Sequence, residues 1–582
     1  MTDFLYFKLK KNKSKKKAYL GEWTKNFLNK REIKKSIFIK YQSYESYDKQ
    51  EIKIRYINKL SKKILNKLSK KIDYLYNINW NSKSWNYLLA PWLESYVAVV
   101  YDRIQMAKAL KKNLLIDQDE IYNYGKKISL FSNDYKKFTS NVSETEWNKK
   151  LVSKIYFLLN HKELLNSLDI FSQKKIKTYK TLKIKYILFF FKNFILKILE
   201  RLLCKNNKYL FYLFSYGNIF SFIYLNLKLK QFPFFYAYSF FNEYVESYTP
   251  NLEIRKKLYI KLKSSNYEEK IICKLLTEAI PTIFLEGLKK QIKLSENSFL
   301  PKNKKMIITK SVLKDNLFRF WTADNISKGS KLILIQHGSG YEYKKCFQNT
   351  EYETRVSHKF LSWGWKNKKN TIPLGNIFLS KKKKFKIQKN RNLLIILGLR
   401  NIFKLQNMLF SHNDIIEQNN NISYLLSNID RKYFDKISLK DHPTSMKKKS
   451  LKIFNCKNQN FTYEKINENL NKLYDKYSLV ITTYDSTEFY NLISRDKPCL
   501  QILPKKLIKK KYIKNFNQMY DCGILHNDAI SLTRKLKKIY TDPYKWWSNN
   551  EIVKKRNNFC KYFSKVGINS SKIINTLNEI EF

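Results

Sequence analysis

From residue 5 to about residue 320, Ile, Leu, Phe and Tyr recur at three- and four-residue spacing between Lys-rich polar positions. That period is the helical repeat, and it predicts a mostly helical N-terminal region. Two clusters interrupt it. Tyr19-Leu20-Gly21-Glu22-Trp23 reads as a short strand-like piece, and Trp85-Asn86-Tyr87-Leu88-Leu89-Ala90-Pro91-Trp92-Leu93 leads into a helix carrying Tyr101-Asp102-Arg103. Trp85 and Trp92 are read as packing anchors, and Asp102 with Arg103 as a structural ion pair.

After Pro301 the texture changes to short apolar runs alternating with helical stretches. Strands are expected at 306–309, 331–336 and 359–363, then, past the lysine run 381–384, at 393–397, 436–440, 479–482 and 499–503. Such alternation makes parallel sheets covered by helices on both faces. The expected fold is α/β, with two doubly wound, Rossmann-like domains facing a cleft and a large helical elaboration before them. Residues 1–300 form the helical region with acceptor-side elements, 301–385 the Rossmann-like part of the first domain, and 386–582 the second, donor-binding domain. Asn527 or Asp528 is expected to cap a helix reaching about Tyr540, and another helix to start near Glu551.

Three of the predicted strands run into turns rich in polar chemistry. The first ends in Gln336-His337-Gly338-Ser339-Gly340-Tyr341-Glu342. Glycines at 338 and 340 let a backbone approach a ligand or adopt positive φ, and His337, one of six histidines, is suited to exchange a proton near neutral pH. The second ends in Asp441-His442-Pro443-Thr444-Ser445. The third ends in Tyr484-Asp485-Ser486-Thr487-Glu488, before a short helix expected over 489–495. Hydroxyl residues at a strand-to-helix turn put side-chain oxygens and backbone N–H groups at a helix N-terminus, which favours an anion, so this turn outlines a phosphate site. The bland alternative is that Ser486 or Thr487 is a plain helix cap and His442 a polar loop residue. In the tail, His526 of Gly523-Ile524-Leu525-His526 is the one residue with catalytic chemistry.

Composition narrows the class. At 582 residues, 43% of them hydrophobic and 16% aromatic, the chain can bury more than one core. The formal charge of +65 comes mostly from Lys spread through every segment, with abundant Asn, Ile and Tyr, a pattern that AT-rich codon usage explains. No zinc finger or RNP motif accompanies it, so no nucleic-acid partner is expected, while an anionic membrane surface or acidic glycan would be attracted. Seven scattered cysteines without a C-x-x-C pair suggest neither a disulfide framework nor structural zinc. Thr2, Asp3 and a Lys-rich run over 8–17 leave no apolar core for a secretory signal, and a cytoplasmic protein is expected. Residues 209–227 carry no charge over a length able to span a bilayer. Ser, Gly and Asn dilute the run, so buried or interfacial helices are the preferred reading. There is no internal repeat, P-loop, G-x-G-x-x-G or G-x-S-x-G, and no metal-binding cluster.

The motifs LGEW at 20–23, LLAPWL at 88–93, YDR at 101–103, QHGSGYE at 336–342, FLSWGW at 360–365, DHPTS at 441–445, DST at 485–487, GILH at 523–526 and DPYKWW at 542–547 occur in that order. Together they resemble the bacterial transferases associated with O-antigen and surface-polysaccharide biosynthesis, over nearly the whole chain. More distantly, an H-G loop, an H-P loop and a D-S-S/T turn in this order are similar to GT-B-like transferases that use CMP- or CDP-activated donors, among them Kdo transferases, sialyltransferases and polyglycerol-phosphate polymerases. The resemblance implies that His442, with Pro443, and the Ser486-Thr487 pair contact the donor phosphate. It also implies that His337 serves as base, with Gly338, Gly340 and Asp485 as loop contacts. The chain lacks the acidic residue that the sialyltransferases carry ahead of the H-G loop, so the base is open between His337 and Glu342.

A transferase must bind a leaving phosphate, stabilise its charge and deprotonate an acceptor hydroxyl, and these loops offer groups for all three tasks. The leading expectation is a metal-independent, GT-B-type glycosyltransferase without a resident cofactor. Its donor would be a nucleotide-activated sugar, CMP-linked by the resemblance, and its acceptor lipid-linked or an oligosaccharide at the inner face of the membrane. The alternatives are transfer of a polyol phosphate from a CDP donor, or a non-catalytic scaffold recruiting polysaccharide enzymes through its basic surface.

Overall fold

The computed structural model describes residues 47–112, 130–165, 247–263, 266–298, 304–310, 316–379, 383–398, 412–441, 461–465 and 468–581 continuously, with shorter pieces between 6 and 40, near 117–121, at 191–231 and at 300–301. Strands β1 (Tyr6–Lys8), β2 (Lys17–Leu20) and β3 (Ser36–Ile39) form a small sheet, in which β2 pairs antiparallel with β1 and parallel with β3. Long helices follow at Tyr47–Tyr76 and Ser82–Lys111, as the three-to-four spacing predicts. Trp85 and Trp92 are fully buried in the second of these. Asp102 and Arg103 form a buried ion pair, and the guanidinium also donates to Asn148 Oδ1 at 2.9 and 3.0 Å. A charge with 1% exposure persists only when paired and hydrogen-bonded in this way.

The first parallel sheet runs β4 (Tyr209–Tyr212), β5 (Met306–Lys310), β6 (Lys331–Ile335), β7 (Lys359–Leu361) and β8 (Thr371–Ile372), side by side in that order. Its strands are apolar through their centres, with Lys310, Lys331 and Lys359 at strand ends, because both faces are covered. Leu332 and Leu334 join the core of helices Ser82–Lys111 and Asn316–Ser327. Ile333 and Ile335 face the other way, against Leu225, Leu229 and the C-terminal helix Ser570–Glu581 through Ile573, Leu577 and Ile580. The strand order never reverses, and the second face is covered jointly by the helix of the β4–β5 connection, Ile219–Lys228, and by the C-terminal helix. Residues 209–227 depart from the helical expectation. Tyr209–Tyr212 is a strand paired with β5, and the helix that follows is only Ile219–Lys228. Four β-strand residues with backbone partners on β5 hold the aromatic run in the sheet. Among the described residues no helix is long and apolar enough to cross a membrane.

The second sheet holds β9 (Asn392–Leu397), β10 (Lys436–Asp441), β11 (Thr462–Tyr463), β12 (Leu479–Thr482), β13 (Cys499–Ile502) and β14 (Leu525–His526) in the order β11-β10-β9-β12-β13-β14, all parallel. The chain enters at β9, winds outward to β11, and returns to the other side of β9. This places the reversal of strand order between β9 and β12, where open α/β sheets bind ligands. Leu393, Ile395 and Leu397 point to the face covered by helices His412–Asn428 and Ala529–Ile539. Leu394 and Ile396 point to the face holding Phe489, Phe516 and Phe559. Asp528 caps the Ala529–Ile539 helix by accepting from Ser531 N at 2.8 Å. The sheet is doubly wound, and with the first it gives the α/β arrangement of two facing parallel sheets expected from the alternation.

The tail ties the two sheets together. After helix Asn550–Phe563, Lys565 N donates to Trp363 O at 2.9 Å and Asn376 N donates to Lys565 O at 2.6 Å, so the strap crosses the FLSWGW turn. Gly364 there has φ +142°, and a Cβ built on it would lie 2.4 Å from Lys561 O. Gly364→Ala is expected to destabilise the protein by about 2–4 kcal/mol, combining a strained φ with an unavoidable backbone clash. A lower thermal midpoint than that of Gly329→Ala, a positive-φ glycine with open space around it, checks the clash separately from the φ effect.

Candidate active site

The carboxyl ends of β6 and β12 face each other, and the turns leaving them touch. The turn after β12 leads into helix Thr487–Ser494, whose cap is Ser486, its Oγ accepting from Phe489 N at 3.3 Å. Ser486 is 3% exposed, and accepting the cap bond leaves its hydroxyl proton to donate. An anion at this turn would meet the first backbone N–H groups of the helix and the Thr487 hydroxyl. Thr487 Oγ1 accepts from Ser339 N at 3.2 Å across the cleft. A hydroxyl that accepts one bond still has its own proton to donate. Gly338 has no positive φ, against the expectation for that glycine. Its missing side chain matters for space: a Cβ would sit 3.2 Å from Thr487 Oγ1. Gly340 does take φ +86°.

Asp485 joins the two loops. It is 2% exposed, its Oδ1 accepting from Tyr343 Oη at 2.7 Å and its Oδ2 from Lys344 Nζ at 3.1 Å. Tyr343 Oη in turn accepts from Gly340 N at 2.9 Å. Backbone bonds reinforce the join, with Lys345 N donating to Leu507 O at 2.8 Å and Lys509 N to Tyr343 O at 2.9 Å. Glu342, at φ +64° and 1% exposed, places its carboxylate among Lys511, the Tyr512 hydroxyl at 3.2 Å and Asn367. It holds the loop to segment 507–512.

His337 stands at the start of the loop with about a third of its side chain open to the cleft. Protein surrounds the rest of the ring, and this burial, with Lys310 adding a smaller push, holds its pKa down to about 4. The ring is therefore neutral near pH 7 with one nitrogen lone pair available. Its Nδ1 lies 3.0 Å from Tyr341 Oη, and Tyr341 donates to Glu353 Oε2 at 2.9 Å. Beneath the loop, Gln336 is a hub. Its Oε1 accepts from Trp363 N at 2.9 Å and Trp365 Nε1 at 2.8 Å, while its Nε2 donates to Gly338 O at 2.9 Å. The QHGSGYE and FLSWGW motifs are thus two halves of one scaffold.

At the reversal point of the second sheet, Gly398 N donates to Thr483 Oγ1 at 3.2 Å and Gln418 Nε2 donates to Gly398 O at 2.6 Å. A Cβ on Gly398 would lie 2.2 Å from the Tyr484 ring. A cavity of about 50 Å³ opens here, lined by residues including Lys344, Gln418, Thr483, Asp485 and Pro504. It has room for water and the tip of a ligand; a larger molecule would extend along the strand ends. Another cavity, of about 370 Å³, lies on the other side of the loop beside Glu342, Phe347, Thr350, Lys368 and Lys509.

His442 and Pro443 lie outside the described residues. They follow β10, which lies two strands from β12 with β9 between them. His526, on edge strand β14, is buried with Nε2 3.1 Å from Gly523 O, and burial lowers its pKa to about 4. It lies three strands from β9 and away from the site. Tyr341, Tyr343, Lys344, Glu353 and segment 507–512 were not singled out by sequence. Tyr341 had a signal as part of the glycine turn, whereas Glu353 reaches the site from helix Gln348–Val356 through a contact that no local pattern encodes. Among the described residues no group of three or more His, Cys, Asp or Glu could hold a metal ion.

Among solved structures, the chain is similar to MurG of Acinetobacter baumannii at 10% identity, with 51% of this chain and 78% of that chain covered and a TM-score of 0.29. It is similar to MnaA of S. aureus, solved with UDP, at 10% identity over 50% and 78% of the two chains with a TM-score of 0.32. The O-GlcNAc transferase of Thermobaculum terrenum aligns at 8% identity over 93% and 98%, also with a TM-score of 0.32. No curated protein sequence matches the chain. The family model described as LIC12162 family transferase matches residues 7–577, which takes in both sheets, the facing loops and the C-terminal strap; the chain belongs to that transferase family.

Proposed function

We propose that this transferase is a glycosyltransferase that moves a sugar or related group from a nucleotide-activated donor to an acceptor in surface-polysaccharide assembly. The observation that carries the reading is the direct contact between the His337 loop and the Asp485-Ser486-Thr487 turn at the strand-order reversal of the second sheet. One turn offers helix N–H groups and a hydroxyl to a leaving phosphate, and the other presents a neutral imidazole to an acceptor hydroxyl. In this reading the donor phosphate lies at the N-terminus of helix Thr487–Ser494, against Thr487 and the backbone of Gly338 and Gly340, with His442 and Pro443 approaching from β10. Asp485 positions the two loops. His337 is the general base, because its ring is partly open to the cleft, whereas the buried Glu342 carboxylate is engaged by Lys511, Tyr512 and Asn367. The helix N-terminus and hydroxyl donors neutralise the growing phosphate charge without a metal. The resemblance of the H-G, H-P and D-S-T motifs to CMP- and CDP-donor enzymes favours a cytidine nucleotide.

The acceptors of such assembly are lipid-linked or oligosaccharide, and the chain has the features of a protein that meets a membrane from one side. Its formal charge is +65, and Phe191, Phe194, Leu202 and Phe220 are 62 to 78% exposed. Lysines near an anionic surface contribute about 1 kcal/mol each, and shallow aromatic insertion adds apolar contact.

Three outcomes test this reading. In thermal-shift measurements with EDTA present, CMP or CDP should raise the melting temperature more than UDP or GDP, since a ligand of the folded state stabilises it. No shift with any nucleotide would remove the donor assignment. His337→Ala should lower transfer by about 10²–10⁴-fold with nucleotide affinity unchanged, and full activity in that variant would remove the base. Membrane fractionation should find the protein in the pellet at low salt and in the supernatant after a high-salt wash. A protein that never pellets at low salt would confine the charge to codon usage.

A further inference from the structure

We infer that Tyr341 and Glu353 are positioning residues that fix His337 in the tautomer with a bare Nε2. This inference rests on the proposed role of His337 as base and names the groups that make the role work. The chain of contacts has a single direction. Glu353 is 1% exposed, and its carboxylate only accepts, so the one proton of the Tyr341 hydroxyl is donated to Glu353 Oε2 at 2.9 Å. The hydroxyl oxygen can then only accept from the ring, so the nitrogen 3.0 Å away, Nδ1, carries the proton. Burial and the neighbouring carboxylate hold the Tyr341 pKa well above its ordinary value, which keeps this hydroxyl protonated.

Packing fixes each member. Tyr341 is 1% exposed, stacked on Phe360 at 5.8 Å between ring centroids and edge-on to Phe347 at 5.1 Å. Its ring meets that of His337 in a T-shaped contact at 5.7 Å. Glu353 is fixed on helix Gln348–Val356, with Oε1 3.9 Å from His337 Nδ1. The groups that face the imidazole are therefore Tyr341 from its own loop, Glu353 from that helix, and Lys310 from the end of β5.

In the reaction the acceptor hydroxyl gives its proton to Nε2 while its oxygen bonds to the transferred group. The nucleotide leaves with the electrons of the broken bond. The imidazolium keeps its Nδ1 proton, donated to Tyr341, whose hydroxyl is in turn held by the Glu353 carboxyl group. With the opposite tautomer, Nε2 would carry a proton before the acceptor arrives and could not take another.

The tautomer is readable without turnover. In nitrogen-15 spectra of histidine-labelled, deuterated protein, with His337→Ala to identify the resonance, His337 should be the Nδ1–H form. Tyr341→Phe keeps the ring stacking but removes the acceptor. It should return His337 to the Nε2–H form and lower the transfer rate about 10²-fold or more, at unchanged donor affinity. Glu353→Gln leaves an oxygen for the Tyr341 hydroxyl and should preserve the tautomer with a smaller loss of rate. An Nε2–H ring in the unaltered protein, or a Tyr341→Phe variant with tautomer and rate both unchanged, would overturn the inference. Undiminished transfer by His337→Ala would instead overturn the base assignment on which it rests.

Discussion

The site depends on a buried carboxylate between two domains' worth of sheet. The Asp485 side chain is 2% exposed, and Lys344 and Tyr343 reach it from the opposing loop. Removing one partner of such a pair would leave a charge without solvation, a loss of about 3–5 kcal/mol, so the clamp and the contact it enforces stand or fall together. Everything that defines the cleft follows from it. The Tyr343 hydroxyl orders Gly340, Thr487 meets Ser339, and His337 is set opposite the helix N-terminus rather than somewhere along a mobile loop. The antiparallel bridge between Lys344 and Ile508 extends the same join into the backbone.

The two sheets contribute differently. The second provides a site by topology alone, since a strand order that reverses beside β9 leaves a crevice at β12 whatever its side chains are. The first has no reversal and no crevice of its own. It contributes an edge, and the turn after β6 is held as one wall of the candidate site by the Gln336 hub and the two tryptophans bonded to it. Covering the far face of that sheet with the C-terminal helix makes the end of the chain part of the scaffold, and Gly364 is where the strap has to pass at backbone distance.

Much of this was legible in the sequence. Apolar runs such as Leu332-Ile333-Leu334-Ile335 and Leu393-Leu394-Ile395-Ile396-Leu397, short and alternating with helical stretches, read as strands buried on both faces, and each was found within a residue or two. The loop grammar at 336–342 and 484–488 located the facing turns. Less legible were features that depend on tertiary neighbours. Ser486 also caps its own helix, its hydroxyl accepting from Phe489 N, a second task that its sequence position offered as the alternative. That Glu342 would be buried against Lys511, Tyr512 and Asn367 was not legible either. Residues 209–212 have an aromatic, uncharged sequence that suits a buried helix as well as a strand, and pairing with β5 decided it. Glu353 is silent in sequence because its distance to His337 exists only after the helix Gln348–Val356 has docked.

The central claim is that the turn after β6 and the turn after β12 form one nucleotide-binding site. Hydrogen–deuterium exchange during titration with a cytidine nucleotide tests it most directly. Peptides covering 337–345 and 483–490 should gain protection together, at the same nucleotide concentration, because their backbone amides share partners across the cleft. Protection confined to one of the two turns, or binding that protects neither, would contradict a shared site.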